Sequence, residues 1–207
     1  SSKNVAVGSA ALFAHNLGSA GDGYNTAVGF YAGVAVTTGV QNTLIGGLAG
    51  DEITTGSSNV AIGLSSLTSN TTANDNVGVG QHSLRLNTTG ASNTAVGGSS
   101  LFSNTTASNN TAVGYQAGDA VTTGANNAFL GSGAGGAITT AVNNVAVGYL
   151  ALTTDTLGSR STAIGNQALQ LQNFTSATET YNTAVGFFAG QSVTTGVQNT
   201  LIGGLAG

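Results

Sequence analysis

The side chains of this chain that could carry out chemistry are few, and neither the histidines nor a pair of carboxylates recurs at a fixed place. The two histidines, His15 and His82, lie at different positions of different repeats, which defines no metal or catalytic site. No pair of carboxylates recurs as a general acid and base, and Asp51-Glu52 has the character of a solvated turn. We therefore predict no catalytic, cofactor-binding or metal-binding residues and interpret the protein as a non-enzyme.

The glycine-rich segment at 131–136, GSGAGG, is the nearest approach to a phosphate-binding loop. It is not followed by the Gly-Lys-Ser/Thr that such a loop requires. The regular GGxGxD run of calcium-binding β-rolls is also missing from the sequence. We interpret the segment as a variant of the repeat described below.

Composition excludes several classes of partner. Only 5% of the residues are charged, and three basic residues stand against seven acidic ones, for a net charge of −4. Because there is no basic patch, we expect no binding to nucleic acid. No apolar run approaches the ~20 residues that cross a bilayer, so we predict no membrane span within this chain.

A five-residue phrase, NTAVG or a close variant, occurs twelve times along the chain. The elements that place all other residues must therefore be built on this repeat. The intervals between successive copies are 21, then eight of 17, then 21, then 17. A strict short period predicts stacked coils rather than a fold with one pocket. The copies begin at Asn4, Asn25, Asn42, Asn59, Asn76, Asn93, Asn110, Asn127, Asn144, Ser161, Asn182 and Asn199.

Residues 4–207 are predicted to form one all-β domain, a parallel β-solenoid of twelve coils with the last coil incomplete. Ordinary coils take the shorter interval, and each is expected to contain two strands and two turns. The two long coils, 4–24 and 161–181, take the longer interval, and their extra residues should bulge as a loop. Residues 25–50 recur almost unchanged at 182–207, which gives a super-repeat with a period of 157. Residues 1–3 are interpreted as an N-terminal tail, and the incomplete coil leads us to expect that the parent protein continues.

Within a coil, the opening residue is position 1. Position 5 is always Gly and is interpreted as a corner, because Gly adopts positive φ without steric cost. Strand alternation places positions 2 and 4 on one face and position 3 on the other. The predicted corners are Gly29, Gly46, Gly63, Gly80, Gly97, Gly114, Gly131, Gly148, Gly165 and Gly186.

The face that bears the invariant aliphatic residue of position 4 is predicted to be the core. Position 3, which is mostly Ala, would then face outward and form an apolar seam between chains. The predicted core residues are Val28, Ile45, Ile62, Val79, Val96, Val113, Leu130, Val147, Ile164 and Val185. The possible seam residues are Ala27, Leu44, Ala61, Ala95, Ala112, Phe129, Ala146, Ala163 and Ala184.

In the nine complete ordinary coils, positions 9 and 12 vary together. When position 9 is Gly, position 12 is Val or Ile, as in Gly118 with Val121. When position 9 is Leu, position 12 is Asn or Asp, as in Leu101 with Asn104. We interpret this as one core volume filled from either of two places, and we predict a separate turn conformation for each class.

Polar residues repeat as well. Stacked Asn at position 1 can form an amide ladder, and the Thr pairs at positions 13 and 14 can bond between coils. Thr arrays also raise ice binding as the lowest-ranked hypothesis, although alternation lets only one Thr of each pair face outward. The N-x-T sequons are interpreted as part of the repeat, and they begin at Asn70, Asn87, Asn104, Asn109 and Asn173.

The phrase N-[ST]-[VA]-A-[IV]-G resembles the head repeats of YadA-like trimeric autotransporter adhesins. The similarity is carried by NVAVG at 4–8, NVAIG at 59–63 and STAIG at 161–165. The longer form at 110–127, NTAVGYQAG…TTGANN, is similar to repeats in phage tail fibres. The resemblance implies a left-handed β-roll, three identical chains side by side, and an extracellular location on a cell surface or a virion fibre.

Two functions remain open. The first is a structural shaft that projects and supports attachment, with the chain itself as its partner in a homotrimer or higher filament. The second is an adhesive surface that binds a host-surface glycan or protein through exposed aromatic residues. These aromatics lie at positions 6 and 7 and include Phe30, Tyr31, Tyr115, Tyr149, Phe187 and Phe188. The alternative, which we favour, is that they pack on neighbouring coils.

Overall fold

The computed structural model describes residues 3–18 and 21–207, which form a parallel β-solenoid of twelve stacked coils. The predicted all-β solenoid is confirmed, and so is its period, since stacked residues such as Asn25 and Asn42 lie 17 apart in the chain. Each coil adds one short strand to a parallel sheet whose strand order follows the chain. Its strands are β1 (Val5–Val7), β2 (Thr26–Val28), β3 (Thr43–Ile45), β4 (Val60–Ile62), β5 (Val77–Val79), β6 (Thr94–Val96), β7 (Thr111–Val113), β8 (Ala128–Leu130), β9 (Val145–Val147), β11 (Thr162–Ile164), β13 (Thr183–Val185) and β14 (Thr200–Ile202).

The register of the sheet equals the register of the repeat. Thr26 is paired with Thr43, and Thr162 with Thr183 across the second long coil, so the extra residues do not shift the ladder. They instead allow a two-stranded parallel pair, β10 (Gly158–Ser159) with β12 (Thr178–Glu179). Every repeat position therefore forms a straight row along the stack.

The expectation of two strands in every coil is wrong. Outside the strand, positions 7, 9 and 17 take left-handed φ angles, as at Gln116 (53°), Leu101 (48°) and Asn109 (62°). Such residues cannot belong to an extended strand. The turns still bond from coil to coil, for example from the Leu101 N–H to the Ala117 carbonyl at 3.0 Å. Parallel pairing therefore continues around the coil without a second sheet that runs the length of the stack.

The corner glycines are required by backbone geometry and by stacking. All ten follow a strand directly, and their φ angles lie between 129° and 144°, a region that side chains disfavour. A Cβ added at Gly46 would lie 2.6 Å from the carbonyl oxygen of Gly63 in the next coil. Both the conformation and the close approach of neighbouring coils thus exclude a side chain here.

The structure reverses the predicted faces of the strand. The residues proposed as a seam at position 3 are fully buried, and those proposed as core at position 4 face outward. Ala27, Leu44 and Ala184 are 0% exposed, whereas Ile45 is 37% and Leu130 51% exposed. The physical reason is the thinness of the coil. Its interior is shared with the Ala or Ser of position 8, which leaves room for little more than Ala at most of the position 3 sites.

The reversal applies to every residue of both predicted sets. The position 4 residues Val28, Ile45, Ile62, Val79, Val96, Val113, Leu130, Val147, Ile164 and Val185 are partly or fully exposed. The position 3 residues Ala27, Leu44, Ala61, Ala95, Ala112, Phe129, Ala146, Ala163 and Ala184 belong to the buried core. The alternation was predicted correctly, but its phase was wrong.

The interior volume is shared by three positions. Where position 3 is large, Gly occupies position 9 of its own coil and of the preceding coil. A Cβ at Gly118 would lie 2.6 Å from the Phe129 ring, and one at Gly50 would lie 2.7 Å from Ile53 and 2.8 Å from Leu44. A shared interior volume is therefore confirmed. The residue that mainly competes with position 9 for this volume is not position 12 but position 3, either of the same coil or of the following coil.

The prediction of two turn conformations is wrong. Gly118 (φ 59°) and Leu101 (φ 48°) both adopt the left-handed region. The turn hydrogen bond is also the same, 3.1 Å from Val121 N to Gly118 O and 3.2 Å from Asn104 N to Leu101 O. A single backbone thus accommodates both classes, which differ only in side chains.

Asparagine ladders satisfy the buried polar groups of the stack. Asn42 donates from its backbone N–H to Asn25 Oδ1 at 2.9 Å, and its Nδ2 donates to the Gly56 carbonyl at 2.9 Å. A second ladder at position 12 links Asn87 Nδ2 to Asn70 Oδ1 at 2.8 Å and Asn104 Nδ2 to Asn87 Oδ1 at 2.7 Å. Buried amides are thereby paired at every step of these ladders, except at Asn104 Oδ1.

Candidate functional site

The outer face of the twelve-stranded sheet is the most uniform surface of the molecule. Positions 2 and 4 point outward, so Thr, Val or Ala forms one row and Val, Ile or Leu forms the other. Neither row contains a charged side chain. Ile164 and Leu130 are 38% and 51% exposed on this face. A face of this kind has little to offer a polar small molecule and suits an apolar protein surface.

Position 6, directly after the corner, is a large apolar residue in five of the twelve coils. Its bulky members lie over small residues of the preceding coil, since a Cβ at Gly98 would contact the Tyr115 ring at 3.5 Å. The same holds for Leu64 over Gly47, at 3.4 Å. About half of each bulky side chain remains open to solvent in Phe30, Leu64, Tyr115, Tyr149 and Phe187.

The first long coil holds a compact cluster of Lys3, Asp22 and Tyr24. Lys3 Nζ lies 2.7 Å from Asp22 Oδ2, donates to Tyr24 Oη at 3.0 Å, and lies 5.1 Å from the ring centroid. The hydrogen bond with Asp22 raises the pKa of the Lys3 ammonium. Lys3 thus packs on the first coil, whereas residues 1 and 2 of the predicted tail lie outside the described residues.

The second long coil repeats this cluster with different residues. Arg160 Nη2 lies 2.8 Å from Glu179 Oε1, and Arg160 Nη1 donates to Tyr181 Oη at 3.2 Å. Tyr181 donates to Glu179 Oε2 at 2.7 Å, and this bond raises the pKa of the Tyr181 phenol. Each member lies one super-repeat after its counterpart, and this periodicity is the sequence signal that could have revealed both clusters.

A buried polar network closes the second long coil. Asp155 is fully buried and accepts hydrogen bonds from the backbone N–H groups of Gly158 and Phe174, at 3.0 and 3.1 Å. Gln172 Nε2 donates to Asp155 Oδ2 at 2.5 Å, and Gln172 Oε1 accepts from Asn182 at 2.8 Å. Because every bond is internal, we assign this network a structural role.

His15 occupies in the first long coil the place that Gln172 has in the second. Its Nε2 lies 3.4 Å from Asn25 Nδ2, and burial lowers the pKa of the imidazole. It is therefore a partly buried member of the coil rather than a surface residue. His82 lies at position 7, where its ring packs edge-on against Phe102 with 6.2 Å between centroids. The two histidines are not brought together.

The paired threonines have separate environments. At position 13 the hydroxyl bonds to the backbone of the next coil, for example from Thr88 Oγ1 to the Thr105 carbonyl at 2.9 Å. At position 14 the side chains are exposed and form a single row. Its members are Thr38, Thr55, Thr72, Thr89, Thr106, Thr123 and Thr140.

Three of the five sequon asparagines are buried. Asn70, Asn87 and Asn104 form the position 12 ladder and are 0% exposed, so the folded chain offers no access to their amides. Asn109 is exposed and Asn173 is partly buried.

The described residues offer neither a metal site nor a membrane-spanning helix. Within residues 3–18 and 21–207, no three His, Cys, Asp or Glu side chains come together as a group that could hold a metal ion. The same ranges contain no helix that is long and apolar enough to cross a bilayer.

The fold and surface together define a parallel β-solenoid with an uncharged aliphatic sheet face. Comparison of the chain with family models, with curated proteins and with solved structures gave no significant match. The similarity to adhesin heads and tail fibres therefore rests on the repeat phrase alone.

Proposed function

We propose that this chain is a repeat shaft of an extracellular or virion fibre, in which three identical chains associate side by side. The observation that carries the proposal is the exposed aliphatic face of the sheet, which runs the full length of the stack. The shaft sets length and stiffness and thereby supports attachment. Its partner along this face is a further copy of the same chain.

The size of the face supports association. Twelve strands at about 4.7 Å and three residues at about 3.3 Å give a footprint on the order of 500 Å². This footprint lies toward the upper end of the range of about 300–600 Å² that the largest apolar patch of a monomer covers, and such patches often mark interaction sites. Burial of this area against other copies would remove it from water and stabilise the assembly.

The composition of the face supports self-association in particular. Because its two rows repeat in every coil, three copies in register would meet the same uncharged residues at each level. The chain has only three basic and seven acidic residues, so like-charge repulsion between copies is small. The number three comes from the resemblance to the trimeric adhesin heads.

The mass of the folded chain in solution tests this proposal. We expect light scattering to give about three times the chain mass of 20.0 kDa. The double variant Val96→Lys/Val113→Lys places charges on the face and should give folded monomers, because an unpaired buried charge is costly. The control Thr72→Lys/Thr89→Lys alters the exposed Thr row and should leave the trimer intact. A folded wild-type monomer would refute the proposal.

An adhesive surface is the second candidate, favoured by the half-exposed aromatic side chains of position 6. The rings of Phe30 and Phe187 each contact the aromatic ring that follows, with centroids 4.3 and 3.9 Å apart. No comparable observation favours ice binding. The exposed threonines of position 14 form a row only one residue wide, whereas an ice-binding surface would need a flat array of two or more rows.

A further inference from the structure

The two long coils carry the same constellation of a cation, a carboxylate and a tyrosine. Lys3, Asp22 and Tyr24 form the first, and Arg160, Glu179 and Tyr181 form the second. In both, the cation and the tyrosine are successive members of the position 17 row, and the carboxylate belongs to the residue two positions before the tyrosine in the long coil. We call them the first and second long-coil clusters.

The cluster chemistry is retained where neighbouring surface residues have changed. Between the two long coils, Phe13 is replaced by Gln170 and Ala10 by Gln167. The cluster changes only from Lys to Arg and from Asp to Glu, while the tyrosine is kept. Each of these replacements preserves both the charge and the hydrogen bonding.

Stacking of the coils does not require these residues. The same row contains Gln41, Ser58 and Ser92, which have equivalent left-handed φ angles of 61°, 59° and 58°. Small polar residues therefore satisfy the backbone there. Exposed ion pairs also add little to stability. Because stacking does not explain why both clusters keep a cation, a carboxylate and a tyrosine, we infer that these side chains bind something outside the chain.

The clusters have the features that suit a neutral sugar ring. The cation and the carboxylate lie at the hydroxyl end of the tyrosine, while Tyr24 and Tyr181 remain 52% and 46% exposed. Each cluster offers donors and acceptors for hydroxyl groups beside an apolar ring surface, and its cation and carboxylate cancel in charge. We propose that each long-coil cluster binds one neutral pyranose unit of a glycan.

The spacing makes the pair of sites bivalent. The clusters are separated by nine coils, which at about 4.7 Å per coil places them ~42 Å apart on the same row. A polymeric glycan that spans this distance could occupy both sites, and the second contact would be intramolecular. Polysaccharides should therefore bind more tightly than monosaccharides. This inference is independent of the shaft proposal, since it requires only the folded chain.

Saturation-transfer NMR on the full chain tests it. The probes are the methyl pyranosides of glucose, galactose, mannose and N-acetylglucosamine, followed by neutral dextran, galactan and mannan in affinity electrophoresis. We expect transfer to at least one pyranoside. The variant Tyr24→Ala/Tyr181→Ala should abolish this transfer and weaken retention by the matching polysaccharide about tenfold or more.

The comparison variant is Tyr115→Ala/Tyr149→Ala, which removes two similarly exposed tyrosines from position 6, the surface of the rival adhesive hypothesis, and should leave pyranoside transfer unchanged. The exchange Lys3→Arg should preserve binding, because the second cluster already uses Arg. Absence of transfer to every pyranoside, or transfer that survives in Tyr24→Ala/Tyr181→Ala, would overturn the proposal. Equal loss in the comparison variant would also overturn it. Light scattering on the same samples reports separately on the shaft.

Discussion

The coils at 59–109 and those at 110–143 fill the same interior in two different ways. In the first region, Leu67, Leu84 and Leu101 enter from position 9 over small residues at position 3. In the second, Phe129 enters from position 3 and lies against Gly118 and Gly135. The backbone is the same in both. Side chains from two adjacent coils therefore fill one interior volume, and their sizes must match.

The polar lining differs between the two regions as well. In the first, position 12 is Asn and forms a buried ladder that ends at Asn104. In the second, Val121 and Ile138 occupy this position, so Asn104 Oδ1 is buried without a hydrogen-bond partner. Where a coil of the first class meets one of the second, a buried amide oxygen therefore loses its hydrogen bond, and this lowers the stability of the fold.

The largest effect is expected from mixing the two classes. Gly118→Leu with Phe129 and Val121 retained should destabilise the fold by roughly 1–3 kcal/mol, because the new side chain overlaps the phenyl ring. The left-handed φ is not the cause, since Leu101 adopts it already. Thermal unfolding followed by circular dichroism measures the loss.

The compensated variant separates packing from other causes. Adding Phe129→Ala and Gly135→Leu to Gly118→Leu gives both coils the position 3 and position 9 residues of the first class. It should recover part of the lost stability, because Val121 and Ile138 remain at position 12. An unchanged melting temperature in Gly118→Leu alone would contradict the shared volume. Failure of the triple variant to recover stability would show that the two regions are not interchangeable.

A smaller effect is expected along the Asn ladder. Asn87→Ala removes a central member and leaves Asn70 Oδ1 unpaired, which should cost about 1–3 kcal/mol. Asn104→Ala breaks one ladder bond where Asn87→Ala breaks two, and it also removes the unpaired Oδ1, so it should cost about 1 kcal/mol less. Urea unfolding of the two variants gives this difference directly. Equal losses would mean that Asn104 Oδ1 is satisfied in solution.

The smallest effect concerns acids of the second packing class. Burial is the main cause that raises the pKa of Asp51 and Asp119, both at position 10. A raised pKa in the folded state means that the charged form is penalised at neutral pH, and that stability rises as the pH falls through the folded pKa. Asp119→Asn should therefore raise the melting temperature slightly at neutral pH.

The gain should disappear at pH about 3, below the usual pKa of an Asp carboxyl, where this group is protonated in both states. It is small because the group is only partly buried and solvent screens its charge. Asp75→Asn, at an exposed position of the first region, is the matched control and should show no such gain. A gain for Asp119→Asn that is the same at both pH values would exclude burial of the charge as its cause.

Much of the architecture could be predicted because the repeat is local and periodic. The short period, the single domain and the in-register stacking follow from the spacing of the phrase. The exchange between positions 9 and 12 also pointed to a shared volume. The role of Phe129 was missed because it acts on Gly118 of the preceding coil, whereas the exchange between positions 9 and 12 lies within single coils.

The candidate surfaces were harder to predict. The sequence shows that positions 2 and 4 share a face, but an aliphatic residue has the same character in a core and in an interface. The long-coil clusters were missed for a different reason. Lys3 and Asp22 become neighbours only because the first long coil closes on itself and returns the chain to the same edge.

Sequence alone predicts the stacked coils, the glycine corners and the length of the super-repeat, because these features depend on the period and on backbone conformation. Which side of the strand lies inside depends on how the side chains pack in the folded coil. Ala27 is buried and Val28 is not, because side chains of positions 8, 9 and 12 already fill the interior. The larger position 3 residues Leu44 and Phe129 fit only where position 9 is Gly.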